Sequence, residues 1–200
     1  DKGRWRYIMF DLDPGMGMIR SPSYNNLERV LNDDIPFVDN HRILRKMLQY
    51  KNYKHYFINR FADLLNTVFK PENVQSSIDS VLAQIEEEMP RHMKKWNGSM
   101  DIWHDNVNEI RTFADERTDH QFQNIMEEFN LEDTVRLTLK IKPEGTGTVK
   151  LSTLTPSTYP WSGIYFDGCP VPFEAKGKKD YLFSHWESNG TISDTLTKSQ

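Results

Sequence analysis

The chain has a single cysteine, Cys169, in 200 residues. One thiol excludes an internal disulfide framework and any cysteine-rich zinc site, and it leaves the redox compartment open. Long apolar runs are missing as well. No stretch approaches the roughly 18 residues needed to cross a bilayer, so no membrane span is expected in this chain, and no signal-peptide pattern opens it. The first residue is Asp1 and not Met, which reads as a processed or excised piece. An excess of positive charge is also lacking. The formal net charge is −4 with the two signs interspersed, which argues against a nucleic-acid footprint. Several catalytic signatures are absent: no His-x-x-x-His or His-Glu-x-x-His pair, no Gly-x-Ser-x-Gly elbow and no Gly-x-x-x-x-Gly-Lys-Ser/Thr loop occurs.

Aromatic residues, by contrast, are generous at 12%. With the aliphatic residues they suffice for the core of one medium domain, or of one domain with a small appendage. The most informative segment comes first. Trp5-Arg-Tyr-Ile-Met-Phe10 runs into Asp11-Leu-Asp13-Pro-Gly15-Met-Gly17, an apolar strand-like run ending in two acidic residues at i and i+2. On an extended backbone that spacing sends both carboxylates to one side. Paired oxygen ligands at a strand end suit Mg²⁺ or Mn²⁺ held against substrate phosphates, because Mg²⁺ keeps several waters and takes only one or two protein carboxylates. Gly15 and Gly17 let the backbone approach phosphate oxygens. The plainer reading is a polar turn capping the next helix.

After this loop the apolar period becomes helical. Leu27, Val30 and Leu31 follow the capping candidates Asn25 and Asn26; Ile43, Leu44, Met47 and Leu48 mark a second helix. Tyr53, Phe57, Phe61, Leu64, Leu65 and Val68 mark a third. Pro71 opens a fourth through Val74, Ile78, Val81, Leu82, Ile85 and Met89, which Pro90 should break or kink. Trp96-Asn-Gly98 reads as a turn. One further helix is expected on Trp103, Val107, Ile110, Phe113 and Ala114, and another on Phe122, Ile125, Met126 and Phe129.

From Val135 the period switches to two. Val135, Leu137, Leu139 and Ile141 alternate with polar residues, and Val149 and Leu151 start a second strand after Gly145-Thr-Gly147. Ile164-Tyr-Phe166, Asp167-Gly168 and Val171-Pro-Phe173 predict a hairpin, and Tyr181-Leu-Phe183 with Trp186 one more strand. The Ser/Thr-rich tail after Gly190 is expected to fray. The fold class is therefore α+β, helical over 1–130 with a small antiparallel β-module over 131–200. The aromatics of that module (Trp161, Tyr165, Phe166, Phe173, Tyr181, Phe183, Trp186) read as its core more readily than as a sugar-stacking surface. His92 and Trp96 share one helix face and read as packing, while His104 and Asp105 do not read as a charge pair, since adjacent helical residues diverge.

The residues also carry a family resemblance. Trp5-Arg-Tyr-Ile-Met-Phe-Asp11-Leu-Asp13, with Gly17 four residues on, resembles the Trp-Asp-x-Asp-x-x-x-Gly segment of the CotH family, the spore-coat-type secretory protein kinases; Phe10 stands where tryptophan is usual. The similarity continues through Tyr56-Phe-Ile-Asn-Arg60-Phe-Ala-Asp63-Leu-Leu-Asn66, Glu88-Met-x-x-His92-x₃-Trp96 and Trp103-x₃-Val107-x-x-Ile110-Arg111-x-Phe113-Ala114-x-x-Arg117. The β-segment is similar to an appendage found after the kinase domain in many CotH-like bacterial proteins. The resemblance implies the C-terminal lobe of an atypical protein-kinase-like fold, ATP with a divalent cation, and transfer of phosphate to Ser/Thr of protein substrates. By position, Asp11 and Asp13 would belong to the metal-binding motif, with Asp13 the favoured direct ligand. It implies a bacterial secreted, cell-surface or spore-coat setting.

In a kinase fold the glycine-rich loop, the phosphate-pairing lysine and the catalytic loop all precede that aspartate, yet ten residues precede Asp11 here. The chain alone is therefore expected to be inactive, with no catalytic residue of its own assigned. Two other readings are open. One is a non-catalytic coat or surface-assembly protein with a degenerate kinase-like domain. The other is a nucleotide-sugar glycosyltransferase, which also uses Asp-x-Asp, although the turn to helices in place of alternating strands and helices speaks against it.

Overall fold

The computed structural model describes residues 15–32 and 41–190, together with the main chain of 197–199. The fold is α+β: among the described residues helices lie between Asn26 and Phe129 and strands follow. The expected first strand, with Asp11 and Asp13, lies outside the described residues. Two compact units divide the chain, and neither is continuous in sequence.

The first unit takes in 15–24 and 71–121. It holds α4 (Pro71–Ile85), a 3₁₀ turn (Glu86–Glu88), α5 (Met89–Lys95) and most of α6 (Met100–Phe129). Pro90 lies in the first turn of α5, where a missing N–H costs nothing, so the fourth helix ends and a new one starts there. Asn97, at φ +56, turns the chain, and Gly98 N–H donates to the Met93 carbonyl at 2.8 Å. Arg111 fastens α6 to α4: it donates to Gln75 Oε1 at 2.8 Å and pairs with Asp79. Gln75 Nε2 in turn donates to the Arg111 carbonyl at 2.9 Å.

The two helices expected over 103–114 and 122–129 are one helix of 30 residues, α6. The apolar stripe lapses over Asp115–Gln121, but that segment contains no glycine or proline. A gap in the apolar pattern changes what a helix packs against; only a breaker ends it.

The second unit takes in 25–70 and 122–200. It holds α1 (Asn26–Leu31), α2 (Arg42–Leu48), α3 (Lys51–Leu65), the end of α6 and every strand among the described residues. Asn25 caps α1 as expected, accepting from Leu27 N–H at 3.0 Å and Glu28 N–H at 3.1 Å. Strand β1 (Thr134–Leu139) pairs antiparallel with β3 (Trp161–Phe166), Val135 opposite Tyr165. Strand β2 (Gly147–Leu151) pairs antiparallel with β4 (Phe173–Gly177), and β5 (Thr197–Ser199) lies parallel to β4. One core joins helices and strands: Leu27, Ile58, Ala62, Leu65, Phe122, Ile125, Leu139, Val149, Leu151, Tyr165 and Phe166 are all buried within it.

Two strand expectations fail. β3 and β4 do not form a hairpin; they belong to different sheets. The Asp167-Gly168 turn is there, with Gly168 at φ +73, but Pro170 and Pro172 follow it. Neither has an N–H to donate to a returning ladder. Residues 181–186 form no strand either. β5 takes the edge of β4, where the tail was expected to fray, and Phe183 and Trp186 instead pack by side chain, Trp186 lying 5.9 Å from the Phe173 ring.

Polar residues tie α3 to the strands. Asn59 and Asp63 are buried on α3 with Ile58, Ala62 and Leu65, and Asn66 is buried at its C-cap. Asn59 Nδ2 donates to the Pro170 carbonyl at 2.8 Å. Asp63 accepts from Tyr165 Oη at 2.7 Å, from Thr153 N–H at 2.9 Å and from Thr153 Oγ1 at 2.6 Å. Asn66 accepts from Ile164 N–H at 2.7 Å and donates to the Ile164 carbonyl at 2.6 Å and to the Ala62 carbonyl at 2.8 Å.

Burial also acts on two acidic protons of this core. It pushes the Cys169 thiol from 9.0 up to about 11, against a smaller opposing effect of Lys54. Burial, then the Asp63 hydrogen bond and charge, raise the Tyr165 phenol far above its ordinary value. Both groups keep their protons in the fold at pH values where the unfolded chain would release them. Stability is therefore full below about pH 9 and falls as pH rises. Urea titrations at pH 8 and at pH 10.5–11 should differ by about 2–3 kcal/mol, and Cys169→Ala should flatten the lower part of that fall. An unchanged urea midpoint across this range would refute the linkage.

Candidate functional site

The glycine loop after Asp13 sits on α6. Met18 N–H donates to the Gly15 carbonyl at 3.3 Å, closing a turn whose central residues, Met16 and Gly17, have φ +55 and +101. Two successive positive φ values define the type I′ pattern. A Cβ added at Gly17 would lie 3.5 Å from Glu109 Cγ and 3.6 Å from Phe113 Cβ, ordinary contact distances. Backbone conformation and not space therefore calls for glycine there. Met16 holds a left-handed conformation without that freedom, a cost of order 1 kcal/mol that surrounding contacts must offset.

Arg117 fixes the far end of this segment. Its guanidinium donates to the Pro22 carbonyl at 2.6 Å, to the Tyr24 carbonyl at 2.8 Å and to Gln121 Oε1 at 2.7 Å, and it lies 5.9 Å from the Phe113 ring centroid. Burial lowers its pKa from the ordinary arginine value. Glu109, Phe113, Arg117 and Gln121 recur every fourth residue, so one stripe of α6 seats the whole loop. Arg20 adds a stacking contact, 4.5 Å above the Tyr24 ring.

Arg117→Ala removes three charge-assisted hydrogen bonds at once. Each is worth about 1.5–3 kcal/mol in favourable settings, but the loop can recover water contacts, so a net loss of about 2 kcal/mol is expected. Hydrogen exchange at the Met18 and Tyr24 amides should speed at least tenfold. Arg117→Lys should rescue little, because one ammonium cannot reproduce the fork. Unchanged exchange in Arg117→Ala would show that the loop holds itself.

Of the four residues expected at the site, Gly15 and Gly17 are in this turn, while Asp11 and Asp13 lie outside the described residues. Among the described residues no group of three or more His, Cys, Asp or Glu side chains is placed to hold a metal. His92 lies 6.5 Å from Trp96, the pairing expected from their spacing, and His104, which is exposed, lies 4.8 Å from the neighbouring Trp103. Arg117, the α3 residues Asn59 and Asp63, and the α3 C-cap Asn66 had no role assigned from sequence. The signal for the latter was present, since polar residues at 59, 63 and 66 share the helical period of Ile58, Ala62 and Leu65.

The family model described as CotH kinase protein matches residues 1–120. The chain belongs to the CotH kinase family. The CotH match takes in Asp11, Asp13, the Gly15–Met18 turn and the stripe as far as Arg117; Gln121 and every strand from β1 onward lie beyond it. No curated protein and no solved structure matches this CotH chain. No described helix is long and apolar enough to cross a membrane.

Proposed function

We propose that this chain carries the metal-binding part of a CotH-type protein kinase site, with Asp11 and Asp13 as ligands of Mg²⁺ or Mn²⁺ and Gly15 and Gly17 beside the phosphates of ATP. The observation that carries the reading is the CotH match over a segment containing all four residues. The seating of the turn supports it: the Gly15–Met18 turn lies against α6, and Arg117 holds the end of the same segment at the Pro22 and Tyr24 carbonyls. Such a bound cation would neutralise charge on the β- and γ-phosphates. The chain's own part is to hold two carboxylates on a fixed backbone and to leave room where a side chain would obstruct. The acceptors would be Ser or Thr hydroxyls of a protein substrate.

The experiment has two arms. Mn²⁺ binding by the 200-residue chain, followed by electron paramagnetic resonance, should weaken in Asp11→Asn and Asp13→Asn. Transfer of ³²P from ATP should be followed in a protein spanning the whole kinase domain. Metal-independent transfer, or undiminished transfer in both variants, would leave the reading without support. Protection from proteolysis by ATP, and not by UDP-sugars, separates a kinase from a glycosyltransferase.

A further inference from the structure

Between His41 and Ala62 the chain contains Arg42, Arg45, Lys46, Lys51, Lys54 and Arg60 and no aspartate or glutamate, although its net charge is −4. Helix α2 turns two strips outward. Ile43, Met47 and Tyr50, at i, i+4 and i+7, are 61%, 39% and 73% exposed. Arg42 and Lys46, one residue before the first two, are exposed beside them. Leu44 and Leu48 are half-buried, and Arg45 is occupied with the Val30 carbonyl at 3.3 Å. Arg42, Lys46, Lys51 and Lys54 have no acidic partner among the described residues. Their field is felt locally: His55 has a lowered pKa, from burial first and then from Lys51 and Lys54.

Large exposed apolar side chains flanked by cations that have no acidic partner among the described residues call for a partner with both features. A membrane surface fits poorly, because α2 has 7 residues and spans only about 10 Å, short for an interfacial helix. A single-stranded nucleic acid would want flat stacking rings along the groove, and two of the three apolar tips here are aliphatic. We propose that the α2–α3 corner, built from Arg42, Ile43, Lys46, Met47, Tyr50 and Lys51, is a docking surface for an acidic polypeptide segment. Carboxylates of the segment meet the three cations, and one or two of its apolar side chains cover Ile43, Met47 and Tyr50. The surface stands apart from the metal reading and does not depend on it.

Fluorescence anisotropy tests this with the 200-residue chain and a labelled 12-residue peptide of Asp and Glu around a central Phe-Leu. Binding should weaken severalfold between 50 and 200 mM NaCl. The variant Arg42→Glu/Lys46→Glu/Lys51→Glu should lose about tenfold or more, and Ile43→Ser/Tyr50→Ser severalfold, with circular dichroism unchanged in both. A peptide with Lys at the acidic positions should not bind. Equal affinity of wild type and charge-reversed chain would overturn the proposal. So would tighter binding to phosphatidylglycerol vesicles or to a 20-nucleotide strand, or self-association of the chain that the charge reversal abolishes.

Discussion

Replacing Asp63 with alanine should cost about 3–5 kcal/mol, a large share of the stability of a domain this size. The carboxylate is 1% exposed and accepts from three donors: Tyr165 Oη, Thr153 N–H and Thr153 Oγ1. Alanine strands the buried Tyr165 hydroxyl and takes the acceptor from two part-buried Thr153 donors, and an unsatisfied buried donor costs about 1–3 kcal/mol. Tyr165 is itself fully buried, so its hydroxyl finds no water in exchange. Asp63→Asn keeps the volume but turns an amide N–H₂ toward donors, and about 2 kcal/mol is expected. Tyr165→Phe leaves Asp63 with both Thr153 donors and should cost about 1–2 kcal/mol. Because the alanine and phenylalanine changes share a partner, their double variant should be less damaged than the sum. Urea midpoints at constant m-value give each number. An Asp63→Ala loss under about 1 kcal/mol would mean that the network is ornamental.

The second large effect concerns chemistry. In a protein spanning the whole kinase domain, Asp13→Asn should lower kcat for phosphoryl transfer by about 10²–10³-fold, the size seen when one preorganised charge-stabilising group is lost. Phosphoryl transfer is mostly positioning and charge neutralisation, and asparagine keeps the shape while removing the charge. Asp11→Asn should be comparable if the two share the cation and milder if Asp11 only orients Asp13. Excess Mn²⁺ should recover part of the loss if the defect lies in metal binding, and none if the loop has collapsed. A kcat within twofold of wild type for both variants would remove the pair from the site.

Periodicity in the sequence located the helices well, because each apolar stripe is read locally: the Asn25 cap, the Pro71 start and the Pro90 break all appear where residue chemistry puts them. Strand partners were not readable in the same way. The choice of β2 over β3 as the partner of β4 depends on two prolines that deny a ladder its donors. The seating of the glycine loop depends on Arg117, about a hundred residues away in sequence, finding the carbonyls of Pro22 and Tyr24. Residue type alone does not mark Asp63 as buried; its three donors, two of them some 90 residues downstream on Thr153, explain why it is inside. The metal pair is the reverse case. Residue type and spacing around Asp11 and Asp13 suggest a metal site without deciding it against a polar turn, and the described residues begin with the turn that follows them.

The Asn66 side chain has a consequence for how this protein behaves among its copies. A two-stranded sheet presents an outer row of main-chain groups that invites another chain to add on. At Ile164 both of those groups are taken by one primary amide, which acts as a strand a single residue long. β1 closes one side of β3 and an asparagine closes the other at that position. At Ile164, then, no main-chain group is left for a third strand to pair with.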